Sequence, residues 1–183
     1  MIRGRTGMFR YIAFLRAINV GGRVVKMDQL RKLCESIPLT NVATFIASGN
    51  VLFESKKPAA QLEAAIEKTL KRALGYEVTT MVRTAGELAR ISNDAAAREL
   101  DSSGARLYVG FMKHPPSPSS VKAVVALSND VDTLSVKGGE LYWQCRTSFA
   151  DSTITMAQLE KLHLGPTTVR NINTVRRLAA KTG

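Results

Sequence analysis

The stretch "NVATFIASGNVLFES", residues 41–55, holds two β-rich runs on either side of Ser48-Gly49-Asn50. Glycine and asparagine tolerate positive φ, so the three residues make a turn and the stretch reads as a hairpin. Helical patterns flank it. Upstream, "DQLRKLCESI" (28–37) spaces Leu30, Leu33, Cys34 and Ile37 as one helical face, and Pro38 stops it. Downstream, residues 59–74 put Leu62, Ala65, Ile66, Thr69, Leu70 and Leu74 on one side, with Glu63, Glu67, Lys68 and Lys71 elsewhere and Gly75 as the close. Beyond these lie "FRYIAFLRAI" (9–18) and "YEVTTMVR" (76–83). The first is nearly all apolar and suits a strand covered on both faces, or on one face plus an edge. The second alternates enough to be a strand. The order is β-α-β-β-α-β, the ferredoxin-like split βαβ unit.

A looser second copy follows. Thr84 and Glu87 make a capping box for a short helix through Ile91. "ARLYVGFM" (105–112) is a strand. Ser117 caps, and Pro118 begins, a helix over "PSSVKAVVAL". "DTLSV" and "ELYWQC" form a hairpin around Gly138-Gly139, and no fourth strand is evident after them. Thr155 and Gln158 box in "MAQLEKLHL", Gly165-Pro166 breaks it, and "VRNINTVRRLAAK" is the last helix. The expected class is α+β, with duplicated ferredoxin-like (split βαβ) subdomains and two extra C-terminal helices. The expected boundaries are a disordered tail at 1–8, with Met8 the natural start, a first subdomain at 9–84, a second at 85–146, and helices over 147–183 packing on both.

The chain has 183 residues, enough for one domain or two small ones, and 45% of them are apolar against 22% charged. That balance is ordinary for a soluble globular protein. No apolar run approaches the roughly 18 residues that span a bilayer, so no membrane contact is expected. The start has basic residues, but Arg16 interrupts the apolar run after it and no cleavage pattern follows, so it is not read as a signal peptide. The two cysteines, Cys34 and Cys145, lie far apart, and Cys34 falls on an apolar helical stripe. A free buried thiol and a reducing cytoplasm are expected. The net charge is +11 and uneven. Residues 1–32 hold eight Lys or Arg against Asp28 alone, and residues 161–183 hold five with no acid. Such an excess favours polyanions or anionic ligands, or else only solubility with nonspecific affinity.

A candidate site follows from topology. In the split unit the first and second strands run parallel with the third between them. The first strand therefore ends at the same sheet edge as the hairpin. "FLRAINVGGRVVKM" (14–27) then neighbours Ser48, Gly49 and Asn50. Glycines Gly21 and Gly22 let backbone N–H groups approach a ligand, and the next helix offers its N-terminus. Arg16, Arg23 and Lys26 add charge, and Asn19 adds an amide. The set looks like an anion or phosphate cradle, although Gly-Gly after a strand and S-G-N in a hairpin are also common connections. Neither G-x-G-x-x-G nor G-x-x-x-x-G-K-[ST] is present. The final helix carries Arg170, Thr174, Arg177 and Lys181 opposite Ile172, Val175, Leu178 and Ala179, a stripe that could track phosphates or simply face solvent. "TTVRNINT" (167–174) gathers more hydroxyls and amides at a helix start than one cap requires. His114 and His163 lack ligand spacing, so no metal is expected, and no cofactor is implied. The strand aromatics Phe45, Phe53, Tyr108, Phe111, Tyr142 and Trp143 suit core packing better than base stacking, because the RNA-binding strand signature is missing.

"YIAFLRAINVGGRVVKMDQLRKL", "NVATFIASGNVLFES" and "TTVRNINTVRRLAA" together resemble the bacterial family known as domain of unknown function 1697. The words R-x-I-N-V-G-G and S-G-N-V occur in order at the family's spacing, and the resemblance runs over about residues 9–181. It implies a duplicated ferredoxin-like arrangement and supplies no reaction. It points to Arg16, Asn19, Gly21, Gly22, Lys26 and Met27, to Ser48, Gly49 and Asn50, and to Thr168, Arg170, Asn171, Asn173, Thr174 and Val175. Ile172 stands where the family often has Trp, either a lost stacking surface or a packing residue. The leading expectation is a cytoplasmic protein binding phosphate-bearing ligands, foremost nucleic acid, through this basic Gly/Asn-rich edge. A metal-independent enzyme acting on a small anionic metabolite, and a scaffold or partner-binding module, are the alternatives. Whether any catalysis occurs, and the oligomeric state, are left open.

Overall fold

The computed structural model describes residues 7–46, 49–94 and 105–183. Most of the expected tail and Ser48 fall outside these residues; Gly7 and Met8 are exposed and precede the first strand. The chain divides into two compact units, residues 1–88 with 181–183, and residues 89–180.

In the first unit, β1 (Phe9–Leu15) leads to α1 (Met27–Glu35), then β2 (Thr40–Thr44), β3 (Asn50–Ser55), α2 (Ala59–Leu74) and β4 (Thr80–Thr84). The sheet order is β2-β3-β1-β4, and every pair is antiparallel. This is the split βαβ topology that the hairpin implied. Leu30 and Cys34 of α1 and Leu62, Ile66 and Leu70 of α2 pack with Tyr11, Ala13, Leu15, Val51, Phe53 and Val82. Ile12 and Phe14, on the other face of β1, are also fully buried, which explains the unbroken apolar run from Tyr11 to Leu15. Gly75 ends α2 in the left-handed region, φ 79°. Cys34 is buried and free, and burial, with the charge of Glu35 adding to it, pushes its thiol up to about 12. Thr84 and Glu87 exchange the expected capping hydrogen bonds at α3 (Ala85–Ser92).

The second unit contains β5 (Arg106–Met112), α4 (Pro118–Val125), β6 (Asp132–Lys137), β7 (Glu140–Cys145), a 3-10 turn (Phe149–Asp151), α5 (Met156–Lys161) and β8 (Thr167–Asn171). α6 (Ile172–Thr182) follows β8. Its order, β6-β7-β5-β8, repeats the first sheet, and every pair is again antiparallel. The fold is thus α+β with a duplicated sheet-and-helix arrangement. Met112, Val124, Leu134, Leu141, Trp143, Ile154, Leu159 and Leu164 form a core cluster. Within this unit the buried Asp132 accepts from Trp143 Nε1 and Ser152 Oγ, each at 2.7 Å.

Two sequence expectations differ from this architecture. Residues 167–171 are a strand rather than the start of the last helix. The β-branched run Thr167-Thr168-Val169 pairs with the open edge of β5, and Gly110 makes room for it, since a Cβ there would stand 3.0 Å from Thr167 Cγ2. The second copy therefore has its fourth strand, extends past the expected boundary at 146, and takes α5 as its crossover helix.

Candidate functional site

Residues 16–26 join β1 to α1 as a closed loop. Asn19 Oδ1 accepts the backbone N–H of Val25 at 2.7 Å. Tyr76 donates its hydroxyl to the carbonyl of Ile18 at 3.1 Å. The guanidinium carbon of Arg23 lies 4.2 Å from the centre of the Tyr76 ring, a cation–π contact that holds the charge over the loop. Gly21 and Gly22 have φ 67° and 79°, and a Cβ on either would meet nothing within 4 Å. They are glycines for backbone conformation, and the space above them is open. Arg23 and Lys26 are exposed, and Arg16 is half-buried with its amide donating to the Thr79 carbonyl. Lys26 is the N-cap of α1 and no side chain caps the helix there. The first-turn N–H groups are therefore left without a side-chain cap, and Asp28 is the acidic residue of that turn.

The hairpin meets this loop as expected, but for packing. The Leu15 amide donates to the Gly49 carbonyl at 2.8 Å, and a Cβ on Gly49 would stand 2.8 Å from Ile18 Cγ2. Asn50 is fully buried, and its Nδ2 donates to the Phe45 carbonyl at 3.0 Å. Asn19 and Asn50, both candidate ligand contacts, thus spend these contacts on closing their own turns.

The other candidates belong to the second unit, at the β8–α6 junction. Arg170 is not an exposed phosphate contact: it is 8% accessible, and its Nη1 donates to Thr168 Oγ1 at 2.8 Å and to the Val169 carbonyl at 2.9 Å. Burial lowers its pKa to about 10, which leaves it cationic at neutral pH. Thr168 is buried beside it. Asn171 Oδ1 accepts the Asn173 amide at 2.9 Å and so supplies the turn that opens α6. Asn173 is exposed and Thr174 half-buried. Ile172 is buried, which makes it a packing residue. The excess of hydroxyls and amides in "TTVRNINT" is thereby largely consumed by an arginine and a helix start. Tyr76 is the residue that the sequence did not flag. It lies far along the chain from Arg23, and no local spacing signals their contact.

Of the six strand aromatics, Phe45, Phe53, Phe111, Tyr142 and Trp143 are buried, and Tyr108 is half-buried and packs against the core of the second unit. Among the described residues no group of three or more His, Cys, Asp or Glu is placed to hold a metal ion, and no helix is long and apolar enough to cross a membrane.

The family model described as "Protein of unknown function (DUF1697)" matches residues 8–142. The chain belongs to that family. The DUF1697 match takes in the whole β1–α1 loop and the hairpin, and it ends before the Thr168–Thr174 segment. No curated protein matches the chain. Among solved structures it is similar to the conserved bacterial protein SP0830 from Streptococcus pneumoniae, at 23% identity and a TM-score of 0.76, covering 96% of this chain and 99% of that one. At that identity the likeness speaks for the fold of this DUF1697 chain and not for its chemistry.

Proposed function

We propose that the chain binds phosphate-bearing ligands, nucleic acid foremost, through the β1–α1 loop and the N-terminus of α1. The observation that carries this reading is the open, internally braced Gly21-Gly22 loop beside the α1 N-terminus, with Arg23 and Lys26 exposed around it. Bracing removes much of the ordering cost that a flexible glycine loop would bear on binding. Because Tyr76 beside the loop is half-buried with Arg23 over its ring, and Phe45 at the hairpin is buried, recognition rests on the phosphate backbone and not on base stacking.

Fluorescence anisotropy with labelled single-stranded and duplex DNA and RNA tests it. Two or three phosphate contacts give a log K against log salt slope of about −2. Arg23→Ala and Lys26→Ala each weaken binding severalfold, while Lys122→Ala, an exposed cation on α4, does not. Absence of binding at low salt, or equal loss from Lys122→Ala and Lys26→Ala, ends the proposal. A second reading, a partner-binding module, is favoured by Val20 and Val24, which are 61% and 81% exposed on the same loop. Val24→Ser separates the two, since it leaves phosphate binding unchanged and weakens a protein contact.

A further inference from the structure

A concave site of about 270 Å³ opens elsewhere in the first unit, over β1, β2 and β3. Ala43 and Leu52 give it an aliphatic floor, and Arg10, Asn41, Glu54 and Lys181 supply its polar groups. Glu54 is committed: Oε1 takes Arg10 Nε at 3.3 Å, and Oε2 takes Asn41 Nδ2 at 2.8 Å. Arg10 also donates to the carbonyls of Thr182 and Gly183, at 3.3 and 3.1 Å. The Arg10–Glu54 pair is therefore internally neutral. Lys181 is the other lining cation. Its Nζ stands 5.4 Å from the Phe45 ring centre, and among the described residues it has no carboxylate partner. An Asn side chain has two N–H donors, and Asn41 has placed one on Glu54. Its φ is +52°, at the register shift between Thr40 and Ala43 where β2 departs from regular pairing with β3. Such bulges re-aim side chains at sheet edges.

We propose that this site binds a small aliphatic monocarboxylate, with its carboxylate on Lys181 and the second Asn41 N–H and its hydrocarbon on Ala43 and Leu52. The charge favours a monoanion: Lys181 has no carboxylate within ion-pair distance among the described residues, whereas Arg10 is engaged by Glu54 and by the end of the chain. At about 30 Å³ per water the cavity holds roughly nine waters, so a ligand of comparable heavy-atom count fills it. The site is separate from the β1–α1 loop and does not depend on phosphate binding there.

The test is a two-dimensional ¹H–¹⁵N NMR titration of the full chain with sodium isovalerate at constant ionic strength. The neutral isostere, 3-methylbutanamide, runs in parallel. Saturable shifts at the amides of Asn41, Ala43 and Leu52 are expected, with affinity at least fivefold weaker for the amide. Lys181→Gln should cost a similar factor, and so should Ala43→Leu, which fills the floor without removing charge. The spectra of both variants report directly that they remain folded. Shifts that fail to saturate overturn the proposal. So do equal affinities for acid and amide, affinity unchanged in either variant, or shifts confined to Gly21–Lys26, which would place the acid on the loop instead.

Discussion

Gly22 and Gly49 both sit in the left-handed region, at φ 79° and 73°, yet the cost of a methyl group differs between them. Above Gly22 the space is open, so Gly22→Ala bears only the backbone penalty, about 1–2 kcal/mol. At Gly49 the new carbon lands 2.8 Å from Ile18 Cγ2 and 3.1 Å from Leu15 Cβ, in packed surroundings. Overpacking adds about 1–3 kcal/mol to the backbone cost. Urea unfolding should rank Gly49→Ala well below Gly22→Ala, and the reverse order would mean that the hairpin does not close on β1 in solution. The sequence places three glycines at one sheet edge and does not tell their surroundings apart. Only the packing separates a glycine kept for contact from glycines kept for conformation. A second residue-scale consequence concerns Cys34, whose thiol is held neutral by burial up to about 12, against an ordinary value of 9.0. Its folded value is raised, so its contribution is intact below pH 9 and is lost as pH rises from 9 towards 12, where the unfolded thiol ionises and the folded one does not. The slope from one such group is about 1.4 kcal/mol per pH unit. Stability measured from pH 8 to 11 should therefore fall less steeply in Cys34→Ala than in the parent chain, whatever the offset between them.

At the scale of elements, β4 is an edge strand, and α2 seals part of that edge. The Thr80 amide donates to Glu67 Oε1 and the Val82 amide to Glu63 Oε1, each at 2.8 Å. Four helical residues rise about 6.0 Å and two strand residues about 6.6 Å, so carboxylates one turn apart match alternate amides of a strand running the other way. Edge strands left with open amides invite pairing with another chain. Glu63→Ala should lower stability by about 1–3 kcal/mol, the cost of stranding a buried donor. Glu63→Gln, which keeps an oxygen acceptor, should cost less. The double alanine variant should also scatter light on concentration, and a monodisperse double variant would show that the edge needs no such cover. The helix was legible from its apolar stripe, but these two glutamates read as ordinary solvent-facing charges, because their partners belong to another element. The same blindness hid β8. Five residues that include Arg170 and Asn171 do not look apolar enough for a strand, and a helix starts at the next residue. What makes them a strand is the waiting edge of β5, with a glycine opposite Val169. By contrast, Ser117, Thr155 and Gly75 act at short range, and the helix ends that they mark stand where the sequence put them.

At the scale of the whole molecule, the duplication fixes where the most protected backbone should lie. In each sheet the strand that opens the repeat becomes an inner strand, because the hairpin partner and the last strand flank it: β3 and β4 flank β1, and β7 and β8 flank β5. The two opening strands, β1 and β5, are nearly continuous in burial, from Tyr11 to Leu15 and from Val109 to Met112. Amides there open only when the unit around them opens, whereas β2 and β6 each have one unpaired side. Hydrogen exchange followed by mass spectrometry should therefore show two slow segments, one at 11–15 and one at 107–112, with β3 and β7 next and β2 and β6 faster. The Gly21–Arg23 turn should exchange fastest among these, since its residues are exposed and held by few backbone bonds. Adding the nucleic acid that the loop is proposed to bind should slow exchange at 21–29 and leave β1 and β5 untouched. If the slowest amides instead fell in an edge strand, or in only one of the two units, the two repeats would not be equivalent structural units, and the sequence duplication would have to be read as a likeness of pattern without a likeness of stability.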